Sequence, residues 1–94
     1  MKIKWLKTAL KNLDQEAAYI AEDNPVAAAK MVEKIMHTDA LLSSNPSIGR
    51  TGRIHGTREL IIDHIPYIIP YRIRANSVEI LRVFHTSRRP PAKW

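Results

Sequence analysis

The second half of the chain contains side chains that could act on phosphate. They are four arginines and one histidine: Arg58, Arg72, Arg82, Arg88 and His85. An arginine presents a rigid fork of N–H donors that suits phosphate, and histidine is the side chain that most readily exchanges a proton near neutral pH. Together they could move a proton and stabilise the charge that develops on a phosphodiester, provided that several converge on one face of a sheet. The alternative is a solvated basic surface, with His85 hydrogen-bonded to backbone at a strand end.

The charge of the chain is strongly segregated. Residues 1–49 contain six lysines and six acidic residues, whereas residues 50–94 contain eight arginines and one lysine against three acidic residues. The second half therefore accounts for the whole formal net charge of +6, and every arginine lies in it. This distribution indicates a face for nucleic acid or for an acidic protein.

The sequence contains little that indicates a metal site, a disulfide or a membrane-spanning segment. The chain has no cysteine, and its four histidines, His37, His55, His64 and His85, lack the close spacing of a zinc motif. We therefore expect neither a metal nor another cofactor. The basic N-terminus is not followed by an apolar run, so we expect no signal peptide, and no segment approaches the length of a membrane span.

The first half of the chain predicts a strand and two helices. Residues 2–5 alternate between lysine and apolar side chains, which is typical of a short strand. From Leu6 to Ala21, apolar residues recur every three or four positions and predict a helix. Asn24 can cap a second helix with Pro25 in its first turn. We expect an antiparallel helical hairpin over about residues 6–43.

The second half predicts a loop followed by three strands and a tail. Residues 44–56 include all three glycines and predict a connector. Strands are expected at 57–62, 67–74 and 78–85, with the last one central and covered on both sides. Pro70 cannot donate to a neighbouring strand, which predicts a bulge or an open edge there. The fold class is thus α+β, in a single domain 1–94 of order β-α-α-β-β-β, with the sheet over about 57–86 and a basic tail at 87–94.

This order, together with several segments, resembles the RelE/ParE toxin superfamily and its ParE-like branch in particular. The segments are YIAEDNP at 19–25, GRTGR at 49–53, GTREL at 56–60, YIIPYR at 67–72 and ILRVFH at 80–85. The resemblance implies an antiparallel-dominated sheet packed against the helical hairpin, in a cytoplasmic bacterial toxin of a type II toxin–antitoxin system.

The resemblance also implies a protein partner. An antitoxin encoded in the adjacent gene, expected to be acidic, would bind over the helical hairpin and form a hetero-oligomer with the toxin. The candidate antitoxin-binding residues are apolar positions of the two predicted helices: Leu13, Ala17, Ile20, Ala28, Val32 and Met36.

Two targets follow from the resemblance, namely DNA gyrase for ParE-like toxins and mRNA on the ribosome for RelE-like endoribonucleases. The RelE-like nucleases resemble one another in an arginine that opens the third strand, where this chain has Tyr67. Some of them also have a tyrosine after the last strand, and the tail of this chain has none. These departures favour gyrase inhibition, with no chemistry by the toxin itself. If the chain is instead a nuclease, the arginines and His85 named above are its candidate catalytic residues.

The basic C-terminal end is the candidate surface for the target. Its residues are Arg82, His85, Arg88, Arg89 and Trp94. Pro90 and Pro91 would hold the tail extended, and Trp94 could serve as an aromatic anchor; the alternative is a frayed terminus. A further alternative is a basic nucleic-acid-binding module without toxicity, although the chain lacks the interleaved aromatics of single-strand platforms.

Overall fold

The computed structural model describes residues 1–62 and 64–87 and contains two helices and six strands. In chain order these are β1 (Lys2–Trp5), α1 (Lys7–Asp23), α2 (Pro25–Ser44), β2 (Arg50–Thr51), β3 (Arg58–Ile61), β4 (Tyr67–Arg74), β5 (Ser77–Ile80) and β6 (Phe84–His85). The fold is α+β, as the sequence predicted.

A single residue separates the two helices. The backbone N–H of Asn24 donates to the carbonyl of Ile20 and ends α1, while its side-chain Oδ1 accepts the N–H of Ala27, at 3.1 Å, and begins α2. Pro25 occupies the first turn, where its missing N–H leaves no intrahelical bond unmade. The predicted hairpin is therefore confirmed.

In the part of the chain that the structure describes, no helix is long and apolar enough to cross a membrane.

The strands form one sheet in the order β1-β5-β4-β3-β2, with β6 also paired to β4. β1 runs parallel to β5, and every other pair is antiparallel. The parallel pair arises because α1 and α2 carry the chain between β1 and the remaining strands.

Contacts with α2 hold β1 at the edge of the sheet. The indole N–H of Trp5 donates to the Asp39 carboxylate, at 3.0 and 3.2 Å from its two oxygens. The terminal amino group of Met1 donates to the Ser43 carbonyl, at 3.0 Å. Burial raises the pKa of Asp39, and the hydrogen bond from Trp5 partly offsets this increase.

The helices cover one face of the sheet, which we call the inner face. Alternate residues of β4, namely Tyr67, Ile69 and Tyr71, belong to the core between sheet and helices. Ile35 and Leu42 of α2 are fully buried in the same core. The intervening residues of each strand lie on the opposite face, which we call the outer face. Residues that pair across strands share a face, so the strand register determines which side chains can meet.

The segment predicted as a plain loop, 44–56, contains β2 and is attached to the core by Tyr71. The hydroxyl of this fully buried tyrosine donates to the Pro46 carbonyl, at 2.7 Å, and accepts the Gly49 N–H, at 2.8 Å. A side chain at position 49 would place its Cβ 2.7 Å from the Tyr71 ring, so the close approach requires glycine. Burial raises the pKa of Tyr71, and the hydrogen bond from Gly49 and the charge of Arg58 oppose this increase.

We expect Tyr71→Phe to lower the free energy of unfolding by about 2–3 kcal/mol, because it removes two hydrogen bonds and leaves the buried Gly49 N–H without its acceptor. Tyr19→Phe is the matched control, since the Tyr19 side chain is largely exposed on α1. Urea unfolding of both variants measures the difference. An equal stability of the two would show that the hydroxyl of Tyr71 does not hold this segment.

The predicted continuous strand 78–85 is wrong. The chain leaves the sheet at 81–83, so that β5 and β6 pair with different parts of β4. Three residues, 81–83, lie opposite two, Ile69 and Pro70, which is the arrangement of a bulge. The carbonyl of Pro70 accepts the Leu81 N–H at 2.9 Å, so the ring nitrogen of Pro70 faces the interrupted segment. The central strand is β4, whose first five residues are all buried, whereas burial alternates along β5.

Candidate functional site

The arginines expected to act together lie on opposite faces of the sheet. Arg58 pairs with Tyr71 and so lies on the inner face, where its guanidinium donates to the carbonyls of Gly49, at 2.8 Å, and Ser47, at 3.3 Å. Arg72 is the next residue after Tyr71 on β4 and therefore lies on the outer face, where its guanidinium binds the Glu79 carboxylate. One phosphodiester cannot contact both guanidinium groups.

The other two described candidates are Arg82 and His85. Arg82 lies in the bulge and its NH1 donates to the Leu81 carbonyl. His85 pairs with Tyr67 and lies on the inner face, with the two ring centroids 5.2 Å apart in an edge-to-face contact. Arg58 and His85 thus lie on the inner face and Arg72 on the outer face, so these three candidates do not share one face of the sheet. Arg88, Arg89 and Trp94 lie outside the described residues.

His85 contributes to a polar cluster at the end of the helical hairpin. Its Nδ1 accepts the Ser87 N–H at 3.1 Å, which agrees with the interpretation of a histidine bonded to backbone at a strand end. Beside it, the hydroxyl of Tyr67 donates to the buried Glu16 carboxylate, at 3.1 Å. These residues line a cavity of about 450 Å³ together with Tyr19 and parts of both helices. The residue at the position where the nucleases have their arginine is thus a buried phenol.

Two further arginines, Arg50 and Arg53, are held by a carboxylate that the sequence analysis did not single out. Glu59 is 1% exposed on β3. It accepts from the Arg50 guanidinium at 3.1 Å and from the Arg53 backbone N–H at 3.0 Å, and the Arg53 side chain lies 3.6 Å away. Strand alternation places Glu59 on the opposite face from its neighbours Arg58 and Leu60. Only the folded segment before β3 shows that its carboxylate is buried. Glu59 therefore binds both ends of the segment 50–53, which leads from β2 toward the loop before β3.

The apolar positions expected to bind an antitoxin lie mostly in the core. Leu13 and Ala28 are buried, and Ala17, Ile20 and Val32 are half-buried against the same core. Leu13 and Ala28 therefore offer little surface to a partner, because the apolar sides of both helices face the sheet and each other. Met36 is the exception, since 40% of it is exposed.

An exposed apolar groove lies elsewhere, between α2 and β3. It encloses about 520 Å³, and its lining includes the exposed apolar residues Leu41 and Ile61 beside buried Leu60. Its charged and titratable lining residues are Lys30, Glu33, Lys34, His37 and His64. The sequence contained a sign of this groove, because Leu41 lies outside the stripe of α2 and Ile61 lies on the opposite parity from Leu60.

The edge of β3 is open beside this groove. The N–H of Ile62 donates to the Tyr67 carbonyl of β4, so the backbone N–H and C=O of the preceding residue, Ile61, point away from β4. In the described part of the chain, β2 pairs with β3 only at Arg58 and Glu59. Within residues 1–62 and 64–87, the groove therefore combines apolar side chains, two lysines with one glutamate, and a strand edge that is unpaired at Ile61.

No group of three histidine or acidic side chains within residues 1–62 and 64–87 lies close enough to hold a metal ion. The described residues thus offer three features for function: the polar cluster around His85, the arginines of the outer face, and the groove between α2 and β3.

Comparison with known proteins relates the whole of this arrangement to one family. A family model described as "ParE toxin of type II toxin-antitoxin system, parDE" matches residues 3–90. The Putative toxin Y4kP of Sinorhizobium fredii (strain NBRC 101917 / NGR234) is 48% identical over 90 residues, which are 96% of this chain and 93% of that protein. Toxin RelE2 of Caulobacter vibrioides (strain ATCC 19089 / CIP 103742 / CB 15) is 30% identical over 86 residues, which cover 92% and 96%. A solved structure of the chromosomal ParDE TA system from P. aeruginosa superposes with a TM-score of 0.81 at 28% identity, over 93% of this chain and 97% of that one.

Proposed function

This chain belongs to the ParE toxin family and is a toxin of a type II toxin–antitoxin system, and we propose that it inhibits DNA gyrase by binding rather than by cleaving RNA. The observation that carries the proposal is the separation of Arg58 and Arg72 onto opposite faces of the sheet. Cleavage of a phosphodiester requires cations and a proton donor or acceptor around one phosphate. Poisoning by binding does not.

The position of Tyr67 supports the same proposal. Its phenol is 3% exposed, and its hydroxyl donates to Glu16. The RelE-like nucleases that the chain resembles have an arginine at this position. His85, the candidate acid or base, instead packs against the ring of Tyr67.

The candidate contact with gyrase is the C-terminal end, made up of Arg82, His85 and the tail residues Arg88, Arg89 and Trp94. A deletion that reached β6 would remove contacts of the core and of the sheet. Val83 belongs to the core, and β6 pairs with β4. A deletion that tests the tail must therefore begin at residue 88, which leaves every described residue in place.

The experiment that tests the proposal follows DNA and protein synthesis separately by pulse labelling, in the first minutes after the toxin is induced in bacteria. We expect DNA synthesis to fall first, and we expect the full chain to inhibit supercoiling by purified gyrase. The chain that ends at Ser87 is the matched variant, and it should lose gyrase inhibition while it still binds antitoxin. If protein synthesis stops first and mRNA is cut, the toxin is an mRNA endoribonuclease and the gyrase proposal is wrong.

The antitoxin is the second partner, and we propose that it occupies the groove between α2 and β3. Exposed Leu41 would contact its apolar side chains on the helix side, and the lysines at 30 and 34 would face its acidic ones. Ile61 pairs with Ile68 and so lies on the outer face, where it would contact a segment that wraps around the edge of β3. An extended segment could also hydrogen-bond to the open edge at Ile61. This location replaces the buried helical stripe as the expected docking surface.

A further inference from the structure

The outer face of the sheet has a cluster of cations that the proposed function does not use. Lys4 of β1 pairs with Glu79 of β5, which in turn pairs with Arg72 of β4. The three side chains therefore form one row across the strands on the outer face. In the neighbouring row, Lys2 and Arg74 flank Ser77.

One carboxylate lies among these cations and does not neutralise them. Arg72 binds Glu79, and this bond, helped by the charges of Arg72, Arg74 and Lys4, holds the pKa of Glu79 below its usual value. Lys4 and Arg74 are exposed, and neither forms an ion pair within the described residues. A ligand that supplies several negative charges at strand spacing would thus find uncompensated cations there.

A cavity of about 430 Å³ adjoins the cluster. Arg72 lines it and belongs to both features. The other lining residues are Leu6, which follows β1, Leu81, which lies in the interrupted segment after β5, and the segment 54–57. The carboxylate of Glu59 accepts the N–H of Arg53, the residue before this segment. The lining therefore joins apolar side chains to the planar guanidinium of Arg72, and a base can stack on a guanidinium plane beside its phosphate.

We propose that this outer face binds a single strand of nucleic acid, with its phosphates on Lys4, Arg72 and Arg74 and a base in the adjoining cavity. Glu79 orients the Arg72 guanidinium and limits the local charge. The contact is one of binding only, and it is independent of gyrase, so it can be tested with the toxin alone. DNA and RNA both supply phosphates and bases. The affinities for the two kinds of strand show which of them this face binds.

The test is fluorescence anisotropy with toxin made by cell-free synthesis and labelled single strands of about 16 nucleotides. The outer-face variant is Lys4→Gln/Arg74→Gln. Its control is Lys30→Gln/Lys34→Gln on α2, which makes the same change in net charge at exposed positions. At about 100 mM salt we expect the outer-face variant to lose about tenfold in affinity, and its slope of log affinity against log salt to fall by about 1.4. The control should lose less than about threefold.

Two further comparisons make the test sharper. Glu79→Gln should bind several-fold more tightly, because it removes the one negative charge in the cluster. A strand of equal charge that lacks bases should bind several-fold more weakly than the strand with bases. Equal losses in the two double variants would mean that only net charge matters, and would overturn the site; equal binding with and without bases would overturn the role of the cavity. The nucleic acid that binds more tightly, DNA or RNA, is the ligand of this face. This result does not depend on the outcome of the pulse-labelling experiment on gyrase.

Discussion

Replacing Leu42 with alanine should lower the free energy of unfolding by about 3 kcal/mol, whereas replacing the adjacent Leu41 should change it by less than about 0.5 kcal/mol. Leu42 is 0% exposed and packs in the core between α2 and the sheet. Leu41 is 45% exposed and lines the groove. The same chemical change therefore creates a cavity at one position and removes only surface at the other. For a domain of this size, the loss at Leu42 corresponds to a decrease of about 10–20 °C in Tm.

Chemical denaturation of the isolated toxin, followed by circular dichroism, measures both effects under one condition. The two variants have identical compositions, so differences in the unfolded state are small. Similar losses at Leu41 and Leu42 would mean that α2 is rotated relative to the sheet from the arrangement described, and the groove would then be wrongly located.

Replacing Ile61 with lysine should weaken antitoxin binding by about 30-fold or more, which corresponds to a loss of about 2 kcal/mol. Ile61 is 51% exposed at the open edge of β3, beside the lysines of the groove. The substitution removes an apolar contact and adds a positive charge where the groove is already basic. Because the side chain is exposed, the fold should tolerate it.

Ile73→Lys is the matched control, since Ile73 is exposed on β4 and does not line the groove. Titration calorimetry with the antitoxin gives the two affinities. In cells, the toxin with Ile61→Lys should remain toxic when the antitoxin is produced with it, whereas the toxin with Ile73→Lys should be neutralised. Equal affinities of the two variants would exclude the groove between α2 and β3 as the docking site.

These predictions compare residues of the same type at different places in the fold. Leu41 and Leu42 are the same residue type, and Ile61 and Ile73 both lie in predicted strands. The helical period places Leu42 in the stripe of α2, and strand alternation separates Leu60 from Ile61. Neither pattern shows that the outward face of α2 meets the edge of β3, because that contact joins segments about 20 residues apart and depends on how the hairpin lies on the sheet.

The interruption at 81–83 shows a second limit of local patterns. Five of the eight residues 78–85 are apolar and they fall on both parities, a pattern that predicts one continuous buried strand. Pro70 indicated an irregularity, but a proline can be accommodated by an open edge or by a bulge in either strand. Only the pairing of β5 and β6 with β4 locates the extra residue opposite Pro70.

The sequence by itself determined the elements that depend on neighbouring residues: the helical hairpin with its turn at Asn24 and Pro25, the strand β4, the α+β class, and, through the order of its segments, the resemblance to the RelE/ParE toxins. The tertiary structure decided where the functional side chains lie. Arg58 and Arg72 are similar in the sequence, yet the pairing of Arg58 with Tyr71 puts them on opposite faces of the sheet. Strand register is a relation between distant segments, and a shift of one residue would reverse every face. For this reason composition predicted a basic surface, while the fold alone separated the arginines that a nuclease would need and gathered the cations of the outer face.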